Sequence, residues 1–222
     1  MKTLDETCLI NDTIITFYLK FLERYFTTNT NNTHKKDKKK DIYCYNTHFY
    51  VFLQDQYQEQ IEYCLNSYKK LEKWGKSVNV FGCRFIAIPI YENNHWSLIM
   101  IVNPGLIKQT FEEVRSNSDH SEGPSIIYFD SFFPENDACV RIIKRFLIME
   151  FRRKEGSGAF DKEIDNEIIE KVENRISVHY PKVPGQQNTY DCGIYLLAYA
   201  ELFFRNPEFV LNRLNLKVKL FV

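Results

Sequence analysis

Pro184-Gly185-Gln186-Gln187-Asn188-Thr189-Tyr190-Asp191-Cys192-Gly193 runs directly into Ile194-Tyr195-Leu196-Leu197-Ala198-Tyr199-Ala200, with Leu202, Phe203 and Phe204 beyond. The Gly, Pro and Asn of the first half do not belong in a helix interior, whereas the second half is apolar all round, the pattern of a helix enclosed on every side. A buried helix is therefore expected to begin at Cys192. The first turn of a helix offers unpaired N–H groups and a partial positive charge, and both favour a thiolate. A thiol pKa of roughly 8.5 falls to about 3.5–7.5 in such a setting, particularly beside an imidazolium. Cys192 is thus a candidate nucleophile. Against this stands the ordinary fate of a free cysteine, which is to be buried and inert, so residues elsewhere in the chain must decide.

The 222 residues suit a single domain, 1–222, and 44% hydrophobic with 15% aromatic residues is a globular composition. A net charge of zero gives no global attraction to nucleic acid or to an anionic membrane, and neither is expected as a partner. The six cysteines form no CxxC pair and no Cys/His set at zinc-ligand spacing, so neither metal nor cofactor is expected. No stretch is apolar enough for a signal peptide or a membrane span. A reducing compartment, nucleus or cytoplasm, follows as the expectation.

Working back along the chain, Asn11 and Asp12 are good helix caps ahead of Ile14, Tyr18, Phe21, Leu22 and Tyr25, whose spacing marks one apolar helix face. Residues 27–41, lysine-rich and without periodicity, read as a surface insertion. Tyr43 to Leu53 is aromatic and fits a strand or the start of a helix; 57–74 has helical spacing. Strands are predicted at Arg84–Ile90, His95–Val102 and Ser125–Asp130, with residues 103–124 as a second surface insertion. A helix is expected from Glu135 or Asn136 to Lys154, a break over 155–161, a short helix from Lys162 to Asn174, and a strand from Ile176 to Val183.

If the strands at His95–Val102 and Ser125–Asp130 pair antiparallel with Val102 opposite Gly123, then His95 faces Asp130 across one end of the sheet. That register is assumed. Nucleophile, base and orienting carboxylate are the three parts of a thiol hydrolase, and Cys192, His95 and Asp130 would supply them. A donor to the developing oxyanion completes the set, with Gln186 or Gln187 available. Of the other histidines, His34 lies in the lysine run, His48 in the aromatic segment, His120 in the second insertion and His179 beside Tyr180. Only His95 combines a strand terminus with a carboxylate across from it.

Leu9-Ile10-Asn11-Asp12-Thr13-Ile14-Ile15, Asn94-His95-Trp96, Phe129-Asp130-Ser131 and Gln186-x-Asn188-x-x-Asp191-Cys192-Gly193 occur in that order along nearly the whole chain. In these motifs the sequence resembles the Ulp/SENP cysteine proteases, which process SUMO and remove it from conjugates, and other segments are similar to the Ulp2-type branch. The resemblance implies an α+β papain-like fold, a mixed central sheet flanked by helices with the nucleophile at a helix N-terminus. It implies His95, Asp130 and Cys192 as the triad and Gln186 as the oxyanion donor. Trp96 would cover the glycine tail of the substrate, with Leu9 and Asn188 also at the substrate. Many members carry tryptophan where this chain has Leu9, so one aromatic wall of the tail tunnel is replaced by an aliphatic one. The implied partners are SUMO and SUMO-conjugated proteins, with the protease a monomer. Two alternatives stay open: a protease for another ubiquitin-like modifier, and a catalytically silent SUMO-binding module.

Overall fold

The computed structural model describes residues 8–29, 41–59, 78–118, 123–132, 135–154 and 166–216. Its centre is a five-stranded mixed sheet in the order β1 (Ile42–Cys44), β2 (Phe85–Glu92), β3 (His95–Val102), β4 (Ser125–Phe129), β5 (Ser177–His179). The two outer pairs, β1 with β2 and β4 with β5, are parallel; β2 with β3 and β3 with β4 are antiparallel. The β2–β3 connection is a two-residue turn in which Asn93 and Asn94 have φ of 51° and 59°. Asparagine tolerates that left-handed conformation better than other side chains, and two such residues match the twist of a tight hairpin.

The almost unbroken apolar runs of β2 and β3 follow from helices covering both faces of the sheet. Alternate residues divide between two cores. Ile86, Ile88, Ile90, Ile99, Ile101, Ile126 and Tyr128 face α2 (His48–Glu59), α3 (Ile107–Arg115), α4 (Asp137–Lys154) and α5 (Asn166–Arg175). Phe85, Ala87, Leu98, Met100, Ile127 and Phe129 face α1 (Asp12–Asn29), α6 (Cys192–Arg205) and α7 (Pro207–Arg213). Asn11 starts α1 by accepting the Ile14 N–H at 3.0 Å. Among the described residues no helix is long and apolar enough to cross a membrane.

Several expectations are corrected. Residues 103–118, expected as loop, contain a short 3-10 turn and then α3, which buries Ile107, Thr110, Phe111 and Val114. Those positions carry the three- and four-residue helical spacing, hidden by the charged residues between them. The strand expected over 176–183 is only Ser177–His179; Pro181 lacks an N–H and holds Tyr180 extended, so the ladder stops. Both readings of 43–53 hold in part, since β1 ends at Cys44 and α2 begins at His48. The helix over 57–74 is observed only to Glu59, and the rest of it, with residues 30–40 of the first insertion and the 155–161 break, lies outside the described residues; the start of that insertion is the end of α1.

Helix α6 starts at Cys192 as expected, but it is not enclosed all round. Its inner face buries Cys192, Leu196, Tyr199, Ala200 and Phe203, while Ile194 and Leu202 are 52% and 63% exposed. Phe17, Phe21 and Tyr25 form a matching exposed stripe on α1, and a shallow groove lined by Ile10, Tyr18, Ile194, Leu197, Ala198 and Glu201 lies between the two helices. Apolar composition alone does not distinguish a covered face from an uncovered one.

Candidate active site

Three chain segments end at the same rim of the sheet. His95 is the first residue of β3, Asp130 directly follows β4, and Cys192 opens α6, which packs on β3. The assumed register was wrong by two residues: Leu98 faces Phe129 and Val102 faces Ser125, not Gly123. A shift of two keeps every side chain on its face. The contact therefore survives diagonally, with His95 Nε2 2.8 Å from Asp130 Oδ1.

The carboxylate of Asp130 is held from three directions. Besides the imidazole, the Phe132 N–H donates to Oδ1 at 2.7 Å, and the Tyr128 hydroxyl lies 3.2 Å from Oδ2. The same phenol is 2.9 Å from Ser97 Oγ. Tyr128 has one proton and a carboxylate only accepts, so the arrangement is satisfied when Ser97 donates to the phenol and the phenol to Asp130. Neither Tyr128 nor Ser97 was singled out from the sequence. The cue was there: Tyr128 and Asp130 share the period-2 face, and Ser97 is a polar residue in an apolar strand.

With Nε2 committed to Asp130, the other ring nitrogen is left for sulfur. Burial pushes the His95 pKa down, but its hydrogen bonds to Asp130 and to Cys192 and the two negative charges outweigh this and raise it to about 9. Burial pushes the Cys192 thiol up, and the His95 hydrogen bond, the N–H groups of Trp96 and Gly193 and the imidazolium charge bring it below the ordinary thiol value. The opposite movements describe a thiolate–imidazolium pair, whose protons belong to the two groups jointly.

The start of α6 is pressed close against its surroundings. A Cβ on Gly193 would lie 3.1 Å from Ile10 Cβ and 3.3 Å from Trp96 Cδ1, so a larger residue after Cys192 would need those side chains to give way by a few tenths of an ångström. Trp96 is 4% exposed, donates from Nε1 to the Ile10 carbonyl at 3.0 Å, and its ring centroid is 4.5 Å from that of Tyr91. Leu9 is half-buried and packs against the same core. Cys192 itself is 0% exposed, enclosed at the start of α6.

The loop before α6 is built by its own polar side chains. Asn188 Oδ1 accepts the N–H groups of Tyr190 and Asp191 at 3.1 and 3.0 Å, and its Nδ2 donates to Asp191 Oδ2 at 2.7 Å. Asp191 stands at the cap position of α6 but makes no side-chain cap bond, which leaves the first N–H groups of the helix available. Tyr199 anchors the loop's beginning by donating to the Pro184 carbonyl. Gln186 is half-buried; its Oε1 accepts from Ser131 Oγ at 2.6 Å, its Nε2 donates to the Asn188 carbonyl at 2.6 Å, and its own N–H donates to the Ser131 carbonyl at 3.1 Å. Gln187 is exposed. Of the two glutamines, the structure ties only Gln186 to the segment that carries Asp130.

Known proteins resemble this chain in sequence and in fold. The chain is 27% identical over 205 residues to the probable ubiquitin-like-specific protease 2B of Arabidopsis thaliana, covering 91% of this chain and 20% of the relative. It is 28% identical over 236 residues to the ubiquitin-like-specific protease 2 of Schizosaccharomyces pombe, covering 95% of this chain and 33% of the relative. The chain thus spans a fifth to a third of the length of these curated relatives. Among solved structures, one described as a de-sumoylating protease has the same fold, with a TM-score of 0.65 at 21% identity over 92% of this chain and 65% of that one. The model of the Ulp1 protease family's C-terminal catalytic domain matches residues 9–219, and the chain belongs to that family.

Proposed function

We propose that this chain is a thiol isopeptidase that cleaves after the C-terminal Gly-Gly of SUMO, releasing it from lysine side chains and maturing its precursor. The observation that carries the proposal is the position of His95, held 2.8 Å from Asp130 on one side and hydrogen-bonded to a depressed Cys192 thiol on the other. Membership of the Ulp1 protease family and the de-sumoylating relative support SUMO as the modifier.

In this scheme the Cys192 thiolate attacks the carbonyl carbon of the terminal glycine. The carbonyl oxygen becomes an oxyanion facing the N–H groups at the start of α6 and the Gln186 amide. The His95 imidazolium, held in orientation by Asp130, gives its proton to the departing lysine amine as the C–N bond breaks, leaving a thioester on Cys192. Neutral His95 then takes a proton from water, whose hydroxyl attacks the thioester and regenerates the thiolate. Trp96 and Leu9 line the route of the tail, and Asn188 acts by shaping the loop that borders it. A glycine tail suits this enclosed setting because a Cβ needs space that an indole pressed onto the backbone does not leave. The domain acts as a monomer, without nucleic acid or membrane, in the reducing nucleus or cytoplasm that keeps Cys192 a thiol.

A panel of fluorogenic C-terminal substrates of SUMO, ubiquitin and related modifiers tests the proposal. SUMO is expected to be turned over in preference to ubiquitin, and changing its penultimate glycine to alanine is expected to lower the rate by more than tenfold. Equal turnover of Gly-Gly and Ala-Gly tails, or preference for another modifier, would overturn it.

A further inference from the structure

Asp130 is followed by Ser131, a residue to which the triad chemistry gives no role, yet it is 6% exposed and makes two of the three hydrogen bonds described for Gln186. We infer that Ser131 is a positioning residue that clamps the oxygen end of the Gln186 side-chain amide, and so holds the N–H end, selected by the Asn188 carbonyl, toward the oxyanion. This rests on the oxyanion role proposed for Gln186.

A primary amide has two ends of nearly equal shape and opposite polarity, and turning it over exchanges two donors for an acceptor. An oxygen aimed at a developing negative charge would oppose the reaction that a nitrogen assists. The site must therefore specify the orientation and then hold it, and two neighbours of Gln186 divide these tasks. The Asn188 carbonyl can only accept, so it selects Nε2 at 2.6 Å. Ser131 Oγ donates to Oε1 at 2.6 Å and so holds the oxygen on the side away from that carbonyl. The amide nitrogen has two hydrogens, and the bond to Asn188 uses one of them; the second is free for the oxyanion. The main chain adds to the constraint, because the Gln186 N–H donates to the Ser131 carbonyl and a Cβ on Gly185 would lie only 3.1 Å from that same oxygen. The Asn188 carbonyl thus sets the polarity of the amide, and Ser131, through its main chain and its hydroxyl, fixes the position in which the amide is held.

The consequence for the sequence is that Asp130 and Ser131, adjacent in the chain, serve opposite ends of the reaction. Asp130 orients the imidazole that protonates the leaving amine, and Ser131 orients the amide that receives the oxyanion. One short segment after β4 thereby keeps both in register with Cys192.

Removing the serine hydroxyl leaves Oε1 without its donor, and the amide, held then only by its bond to the Asn188 carbonyl, loses its fixed position. Ser131→Ala is expected to lower kcat by about tenfold, the upper range for one orienting hydrogen bond, with KM and the pH limits of kcat/KM unchanged. Gln186→Ala is expected to lower kcat about a hundredfold. Because Ser131 acts through Gln186, Ser131→Ala introduced into Gln186→Ala should cause no further loss, a non-additivity that a merely structural role would not produce. Thermal melting checks that each variant folds; should Ser131→Ala not fold, Ser131→Cys keeps the shape with a much weaker donor and serves in the same cycle. The inference is overturned if Gln186→Ala is slow while Ser131→Ala keeps full kcat, or if the two losses multiply. A Gln186→Ala enzyme with full kcat would instead remove the oxyanion role of Gln186 itself, and the inference with it.

Discussion

Cys139 and Cys192 are both 0% exposed, and both sit in the first turn of an apolar-faced helix, yet their thiols move in opposite directions. For Cys139, in α4, burial pushes the thiol far above its ordinary range; the Tyr50 hydroxyl offsets this only in part and the Glu92 carboxylate adds to it. Its own N–H is taken by the cap residue, Asn136, at 3.0 Å. At α6 the cap residue Asp191 is bonded by Asn188 and makes no side-chain cap bond, so N–H groups remain for sulfur, and His95 stands opposite. A helix N-terminus is thus a permissive setting and not a sufficient one. What separates the thiol of Cys192 from that of Cys139 is an uncapped first turn and an imidazole that is itself held by a carboxylate.

The largest effect that tests this contrast is Cys192→Ala, which should reduce turnover of a SUMO C-terminal substrate to background while leaving SUMO binding within about twofold. Residual turnover in a pure sample would show that the wrong cysteine has been named. Asp130→Asn comes next, because it removes the charge that holds the imidazolium; a loss in kcat on the order of a thousandfold is expected, larger than any change in KM. A loss confined to KM would make Asp130 a binding residue.

The pH profile sharpens the same comparison. The rate should rise with pH as Cys192 ionises through its depressed pKa and fall again as pH passes about 9, where His95 loses the proton needed by the leaving amine. In Asp130→Asn the residual activity should lose its upper limb at lower pH, since a group that raises the His95 pKa has gone. An upper limb unmoved by that substitution would contradict the pairing.

Tyr128→Phe removes one donor to Asp130 and should lower kcat by only about three- to tenfold, with stability changed little. The smallest catalytic effect belongs to Cys139→Ala, for which full turnover is expected together with a loss of about 1 kcal/mol in stability and about 2–4 °C in Tm. A catalytic loss there beyond twofold would erase the distinction between the two cysteines.

Much of this was legible in the residues themselves. The turn residues before Cys192 and the apolar run after it located the start of α6, and the two strands either side of Asn93 and Asn94 were found almost to the residue. Helix α3 was missed because its apolar positions are diluted by Lys108, Gln109, Glu112 and Glu113. The hydrophobicity of α6 was overread, because Ile194 and Leu202 contribute to the pattern as strongly as the buried Leu196 and Phe203 do. The pairing of β3 with β4 was expected in a register two residues off, since the connection between them contains a helix that no loop estimate includes.

The sequence by itself determined the candidates for chemistry: one cysteine at a loop-to-helix junction, one histidine at a strand start, one aspartate at a strand end and, by resemblance, a glutamine six residues before the cysteine. Local rules suffice for that, because caps, turns and alternation act over a few residues. Only the tertiary structure decided how these groups are held. The Ser131 hydroxyl on Gln186 and the Ile10 carbonyl on the Trp96 indole join segments distant in sequence and depend on their sub-ångström placement. Hydrogen bonds are directional and weaken steeply outside a narrow range of distance and angle, so their partners follow from packing and register and cannot be read from spacing along the chain.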